Sequence, residues 1–181
     1  QLENAIGAVF SSWNNPRAQI YRQLNDIPDS IGTAVIIQAM VFGNMGQNSG
    51  SGIAFTRNPS TGEKEFFGEY LMNAEGEDIA SGRRTPRSLD EFKEESPILY
   101  NQLFQLQKTL EEHYRDMQDL EFTIQENRLY LLQTRSGKRT AKAAVKIAVD
   151  LVNEGLISEK EALRRMDPEM ARFFMHPMID P

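Results

Sequence analysis

The sequence predicts an α+β domain with a mainly antiparallel sheet packed by helices, followed by a helical carboxy-terminal segment. Three observations carry this expectation. β-branched or alternating runs fill the middle of the chain, helical periodicity fills both ends, and the turn NPSTGE and a hairpin join neighbouring strands directly.

Leu2, Ala5, Ile6, Val9, Phe10 and Trp13 recur at helical spacing, and Asn15-Pro16 offers an N-cap and first residue for a second helix ending near Asn25. The run TAVIIQAMVF (33–42) reads as a buried strand. The glycine-rich GNMGQNSGSG follows, then strands near 52–56 and 64–71 joined by NPSTGE (58–63). Ser88 and Glu91 have capping-box spacing, and Ser96-Pro97 opens a longer amphipathic helix through Leu103, Phe104, Leu106, Leu110 and Tyr114. Beyond the hairpin, Thr140 caps a helix that Gly155 stops. Ser158 with Glu161 is a second box opening a helix to about Met166, and another helix is expected over 168–174.

The 181 residues, 40% hydrophobic and 25% charged, suit one domain or two small ones with a real core. No run approaches the roughly 18 to 20 apolar residues of a membrane helix, so no membrane partner is expected. With no cysteine, disulfides and thiolate metal sites are excluded and an intracellular setting is favoured. A net charge of -6 argues against a nucleic-acid surface. The chain opens at Gln1 inside a helical pattern, without an initiator Met, so it is expected to be a piece of something longer.

The hairpin DLEFTIQENRLYLLQTR (119–135) carries Asp119, Glu121, Gln133 and Arg135 within apolar alternation. A two-residue loop at Glu126-Asn127 would put Gln133 and Arg135 on the apolar face beside Leu120, burying an unpaired charge. A three-residue loop over 125–127, with Asn127 left-handed, pairs Asp119 with Gln133 and gathers all four polar residues on one face. Leu129 and Leu131 then extend the polar face, while Leu120, Phe122, Tyr130 and Leu132 share the buried one. Two carboxylates at spacing two favour a hard cation such as Mg²⁺, and the arginine suits phosphate oxygens. An Asp–Arg salt bridge on a solvated face fits the same pattern, and spacing alone leaves both readings open.

The strings VFGNMGQNSGSGIAFTRNPSTGE (41–63), GEYLMNAEGEDIASGRRTP (68–86) and DMQDLEFTIQENRLYLLQTRSGKRT (116–140) closely resemble the pyruvate phosphate dikinase family, and the likeness runs along nearly the whole chain. The resemblance implies the carboxy-terminal subdomain of an ATP-grasp nucleotide-binding domain over 1–140. A helical segment, 141–181, would lead toward an absent phosphohistidine domain. It implies a phosphotransferase that converts ATP, phosphate and pyruvate to AMP, pyrophosphate and phosphoenolpyruvate. The chain alone is expected to be inactive. Implied partners are ATP, phosphate, the missing amino-terminal ATP-grasp subdomain, the phosphohistidine domain and a pyruvate-binding barrel. The parent enzyme would be able to form a homodimer in the cytoplasm or another soluble intracellular compartment. By the same resemblance Asp119, Glu121 and Gln133 face Mg²⁺ and the ATP phosphates, Arg135 faces the phosphates, and Glu77 is a further active-site residue. Gln38, Met40 and Val41 border the adenine. A phosphoenolpyruvate synthase and a non-catalytic binding module are the competing functions.

Other features have blander expectations. GNMGQNSGSG lacks a Gly-Lys-Ser/Thr ending and reads as a mobile connection. His113 and His176 are structural or exposed. Arg57 could approach phosphates or bridge a carboxylate near the turn, Arg83 and Arg84 are solvated, and Met40, Met45 and Met72 fill core.

Overall fold

The computed structural model describes residues 1–167, so the expected helix at 168–174 and His176 lie outside the described residues. It separates into two units, 1–40 and 41 onward.

The first unit holds α1 (Leu2–Ser12), α2 (Pro16–Leu24) and a 3₁₀ turn (Asp29–Ile31), with Pro16 at the start of α2 as expected. Arg22, 5% exposed, fastens them. Its guanidinium lies 4.0 Å from the Trp13 ring centroid and donates to the Trp13 carbonyl (2.7 Å) and to Asp29 Oδ1 (2.6 Å). The run 33–42 is not a strand. β-branching favours a pleated surface, but a strand exists only as part of a ladder, and none of the described residues pairs with this run. Ile36 and Ile37 are exposed, and so are Met40 and Met45, which were expected in the core.

Among the described residues the second unit contains five strands: β1 (Gly50–Phe55), β2 (Phe67–Met72), β3 (Arg87–Ser88), β4 (Gln118–Gln125) and β5 (Arg128–Ser136). They form one sheet in the order β3-β2-β1-β4-β5, with every pairing antiparallel. The helices are α3 (Gly76–Ala80), α4 (Leu89–Glu95), α5 (Pro97–Tyr114), α6 (Ala141–Asn153) and α7 (Glu159–Arg164). Asn58 builds the NPSTGE turn, its side-chain oxygen accepting from the Ser60 and Thr61 amides while Gly62 takes φ +82°. Ser88 and Glu91 cap α4 reciprocally, and Thr140 caps α6. Ser158 accepts from the Glu161 amide, but the Glu161 carboxylate bonds Arg165, leaving half of the expected box.

Alternation along the strands gives the sheet two faces. On one, Ala54, Tyr70, Leu120, Phe122 and Ile124 meet Leu89 and Phe92 of α4 and Leu99 and Leu103 of α5, with Met72 at the edge. Gly52 lies on this face because Phe122 fills its side-chain space: a β-carbon there would sit 2.2 Å from the ring. On the other, Phe55 joins Met117 and residues Ala143, Ile147 and Leu151 of α6 in a second cluster.

The hairpin corrects the expected loop. Gln125 pairs with Arg128, so the turn is the two-residue Glu126-Asn127, with φ +51° and +62°. The polar residues still share a face, because a bulge does what the odd loop was invoked to do. Phe122 pairs with Leu131 but Glu121 pairs with Gln133, leaving Leu132 unmatched, and Asp119 therefore faces Arg135. The bulge also exchanges the apolar residues. Leu129 and Leu131 pack on the core, Tyr130 stands opposite Thr123 on the polar face, and Leu132 is 42% exposed.

Positive φ at both turn positions is the pattern that favours Asn-Gly, and Glu126 adopts it at a steric cost. Replacing Glu126→Asn together with Asn127→Gly is expected to stabilise the chain by about 1 kcal/mol in urea unfolding. A destabilisation would show that these side chains hold the turn in another way.

Among the described residues, no helix is long and apolar enough to cross a membrane.

Candidate nucleotide and metal site

The polar face is built in rows across the sheet. Leu71, Ser51, Thr123 and Tyr130 make one row; Glu69, Ile53, Glu121 and Gln133 the next; and Phe67, Phe55, Asp119 and Arg135 the third. Asp119, Glu121, Gln133 and Arg135 are therefore neighbours on two strands, as expected. Arg135 Nε donates to Asp119 Oδ2 at 2.8 Å, and its Nη2 lies 3.9 Å from Glu121 Oε1. The Asp119 side chain is nearly buried, while those of Glu121 and Arg135 are half exposed and Gln133 is exposed. The hydrogen bond to Asp119, with its charge, pushes the Arg135 guanidinium further above its ordinary value.

Glu77 comes from a different element. It lies in the first turn of α3, where the Glu75 amide donates to Asp78 and the Glu75 carboxylate answers at the other end of a capping box. The loop before α3 is tied to GNMGQNSGSG: Asn73 N donates to Ser49 O, Ala74 N to Gly43 O, and Gly46 N to Asn73 Oδ1. That glycine-rich run is thus a connection braced at several points, and from Gly50 it passes into β1 with no helix between. Arg84 donates to the Met72 and Asn73 carbonyls, which fixes the end of β2 instead of leaving the side chain free in solvent.

Glu77 and Glu121, distant in sequence, line one cavity of about 440 Å³. Ser51, Ile53, Glu69, Thr123 and Leu132 also line it, and no lysine or arginine does. Glu69, Ser51 and Leu132 were missed by the sequence reading. The first two follow from strand alternation once the site face is known, whereas Leu132 depends on the bulge.

Among the described residues, no group of three or more His, Cys, Asp and Glu is close enough to hold a metal by itself. Glu121 and Gln133, directly opposite each other, and the second oxygen of Asp119 offer hard donors. Such a set fits Mg²⁺, which is usually held by one or two carboxylates and completes its shell with phosphates and water. Gln38 and Met40 belong to the first unit and are exposed, and Val41 begins the second, half-buried.

Arg57 takes the salt-bridge alternative. It is fully buried, reaching Glu111 at 2.7 Å and Glu154 at 2.9 Å. His113 is exposed on α5.

The family described as "Pyruvate phosphate dikinase, AMP/ATP-binding domain" matches residues 1–103 and 99–156. The pyruvate, phosphate dikinase of Clostridium symbiosum is 56% identical over 181 residues, covering all of this chain and 21% of that protein. That of Rickettsia prowazekii is 56% identical over 185 residues, covering 99% of this chain and 21% of the relative. The chloroplastic pyruvate, phosphate dikinase 1 of Zea mays is 54% identical over 180 residues, covering 99% and 19%. The chain thus spans about a fifth of the length of the curated relatives it matches. With the family matched along most of its length, the chain belongs to the pyruvate phosphate dikinase AMP/ATP-binding domain family.

Proposed function

We propose that this chain supplies the phosphate-facing and metal-facing half of an ATP-grasp site in a pyruvate phosphate dikinase. The full-length protein would convert ATP, phosphate and pyruvate to AMP, pyrophosphate and phosphoenolpyruvate through a phosphohistidine on another domain. Glu121, Gln133 and Asp119 would hold Mg²⁺ against the phosphates. The cation would neutralise charge that develops during phosphoryl transfer, and the protein's own task is positioning and electrostatics. Arg135 offers its forked donors to phosphate oxygens, and Glu77 bounds the same cavity from α3. Gln38, Met40 and Val41 would border the adenine. Residues 1–140 would form the partial nucleotide-binding domain, and 141–181 the path toward the phosphohistidine domain. The remaining ATP-grasp subdomain, the phosphohistidine domain and a pyruvate-binding barrel would come from the rest of the protein, which can dimerise in a soluble intracellular compartment.

One observation carries this reading. The bulge in β5 places two carboxylates, an amide and a guanidinium on one sheet face, beside a cavity that Glu77 shares with Glu121. The test is Mg²⁺-dependent ATP binding by this chain, and turnover by the full-length protein with and without Glu121→Ala. Turnover is expected to fall by at least about 100-fold, since the substitution removes a metal-facing charge. Normal turnover in that variant would make the hairpin assignment wrong. ATP binding without any pyruvate-dependent turnover would favour a binding module, and water in place of phosphate as cosubstrate would favour a phosphoenolpyruvate synthase.

A further inference from the structure

We infer that Gln125 is a positioning residue for the base end of the nucleotide, holding the Val41 peptide on the proposed adenine border at a set distance from Glu121. The inference rests on the site reading above. Phe42 N donates to Gln125 Oε1 at 2.8 Å, across 83 residues of sequence. The run 33–42 joins no ladder among the described residues, and here a side chain supplies the bond that a strand partner would give.

The peptide plane carries that constraint to Val41. Phe42 N and the Val41 carbonyl belong to one planar trans peptide, in which N–H and C=O point in opposite directions. Turning the N–H toward Gln125 therefore sets the direction of the Val41 carbonyl. The Gln125 end is held as well. Glu126 N donates to Ser49 Oγ at 3.0 Å and Asn127 N to Asn48 O at 2.8 Å, which fastens the hairpin tip to the glycine-rich run. Beside the tie, the Gly43 carbonyl accepts from Ala74 N, and a β-carbon on Gly43 would meet the Gly50 carbonyl at 2.8 Å. The chain thus approaches the start of β1 too closely for a side chain at that position.

Position gives the bond its function. Gln125 and Glu121 are four residues apart on β4, so they share a face and stand about 14 Å apart along the strand. β4 is paired on both sides, by β1 and by β5, which makes it a stiff spacer. One end carries the carboxylate proposed to face the metal, and the other holds the peptide proposed to border the base. Without Gln125 the Val41 peptide is free to turn, and binding must then order what the glutamine orders in advance.

Calorimetric titration of the full-length protein with AMP and with Mg²⁺-pyrophosphate tests the role, since the first carries the base and the second only phosphates. Gln125→Leu removes the acceptor and should weaken AMP by about fivefold, while pyrophosphate stays within about twofold of the parent. Gln125→Glu keeps an acceptor oxygen at the same reach and should hold AMP within about twofold. A hairpin that merely loosened would weaken both probes together. Parent-like AMP affinity in Gln125→Leu, an equal loss for both probes, or a loss in Gln125→Glu as large as in Gln125→Leu overturns the assignment. The site reading fails separately: Glu121→Ala should weaken Mg²⁺-pyrophosphate, and an unchanged pyrophosphate affinity there overturns that reading whatever Gln125 does.

Discussion

Arg57→Met is expected to destabilise the chain by about 3 to 5 kcal/mol, because it strands the buried Glu111 carboxylate without its cation. Arg57 has no exposed surface, and Glu111 is 5% exposed. The guanidinium grips Glu111 through Nη2 (2.7 Å) and Nε (3.1 Å), and Nη2 also donates to Glu154 at 2.9 Å. Its Nη1 makes no hydrogen bond among the described residues and lies 3.9 Å from Asp150 Oδ2. Thr56 and Lys64 complete the network by donating to Glu111 and Glu154 respectively. The arrangement binds the two residues after β1 to α5 and to the end of α6, so its loss should loosen the second cluster around Met117 and Ile147. Thermal unfolding should show a midpoint lower by roughly 6 to 20 °C. Arg57→Met with Glu111→Leu should recover part of the loss, since an apolar pair carries no stranded charge. A cost below about 1 kcal/mol for Arg57→Met would dismiss the network as a stabilising element. Acid should act in the same direction. Burial works to raise the Glu154 carboxyl, but hydrogen bonds from Arg57 and Lys64 outweigh it and hold the group below its ordinary range. A depressed folded-state value means stability that is present above the unfolded carboxylate value of about 4.3 and lost as pH falls through the folded one.

The network also marks a limit of sequence reading. Arg57 in FTRNP had two equal explanations, and the deciding partners, Glu111 on α5 and Glu154 just after α6, depend on helix packing that no local pattern encodes. Local signals did well where the physics is local. Ser88 with Glu91, Thr140, Asn15-Pro16 and Asn58 each name a cap or turn within a few residues, and the structure has each element there. The five-residue α3 was missed because its box uses Glu75 and Asp78, outside the usual Ser/Thr-to-Glu spacing. TAVIIQAMVF failed for the opposite reason: its composition is that of a strand, but the ladder must come from elsewhere. At the hairpin, alternation required the four polar residues to share a face, which was right. It could not say whether an odd loop or a bulge corrects the phase, since both add one residue to the return strand. That ambiguity exchanged Leu132 and Tyr130 for Leu129 and Leu131 in the core, while leaving the site residues together.

Arg135→Met should lower turnover of the full-length protein by roughly a thousandfold, the lower end of what a transition-state arginine contributes to phosphoryl transfer. The side chain is 54% exposed and bonds Asp119 Oδ2 at 2.8 Å, with Glu121 3.9 Å away. Held so, it sits beside the proposed metal ligands and keeps freedom to turn its fork toward a phosphate. Arg135→Lys keeps the charge but not the paired donors, so its turnover should fall between the two. A structural role must be separated from this one, because Asp119 is nearly buried and Arg135 is the donor it meets. Asp119→Asn with Arg135→Met removes the stranded carboxylate and should restore the urea midpoint lost in Arg135→Met. It should not restore turnover, since the guanidinium proposed to face the phosphates is still missing and a charge proposed to face the metal has gone as well. Recovery of turnover along with stability would reduce Asp119 and Arg135 to a cross-strand ion pair. Recovery of stability alone keeps them at the phosphates, with folding and chemistry drawing on the same two residues in separable ways.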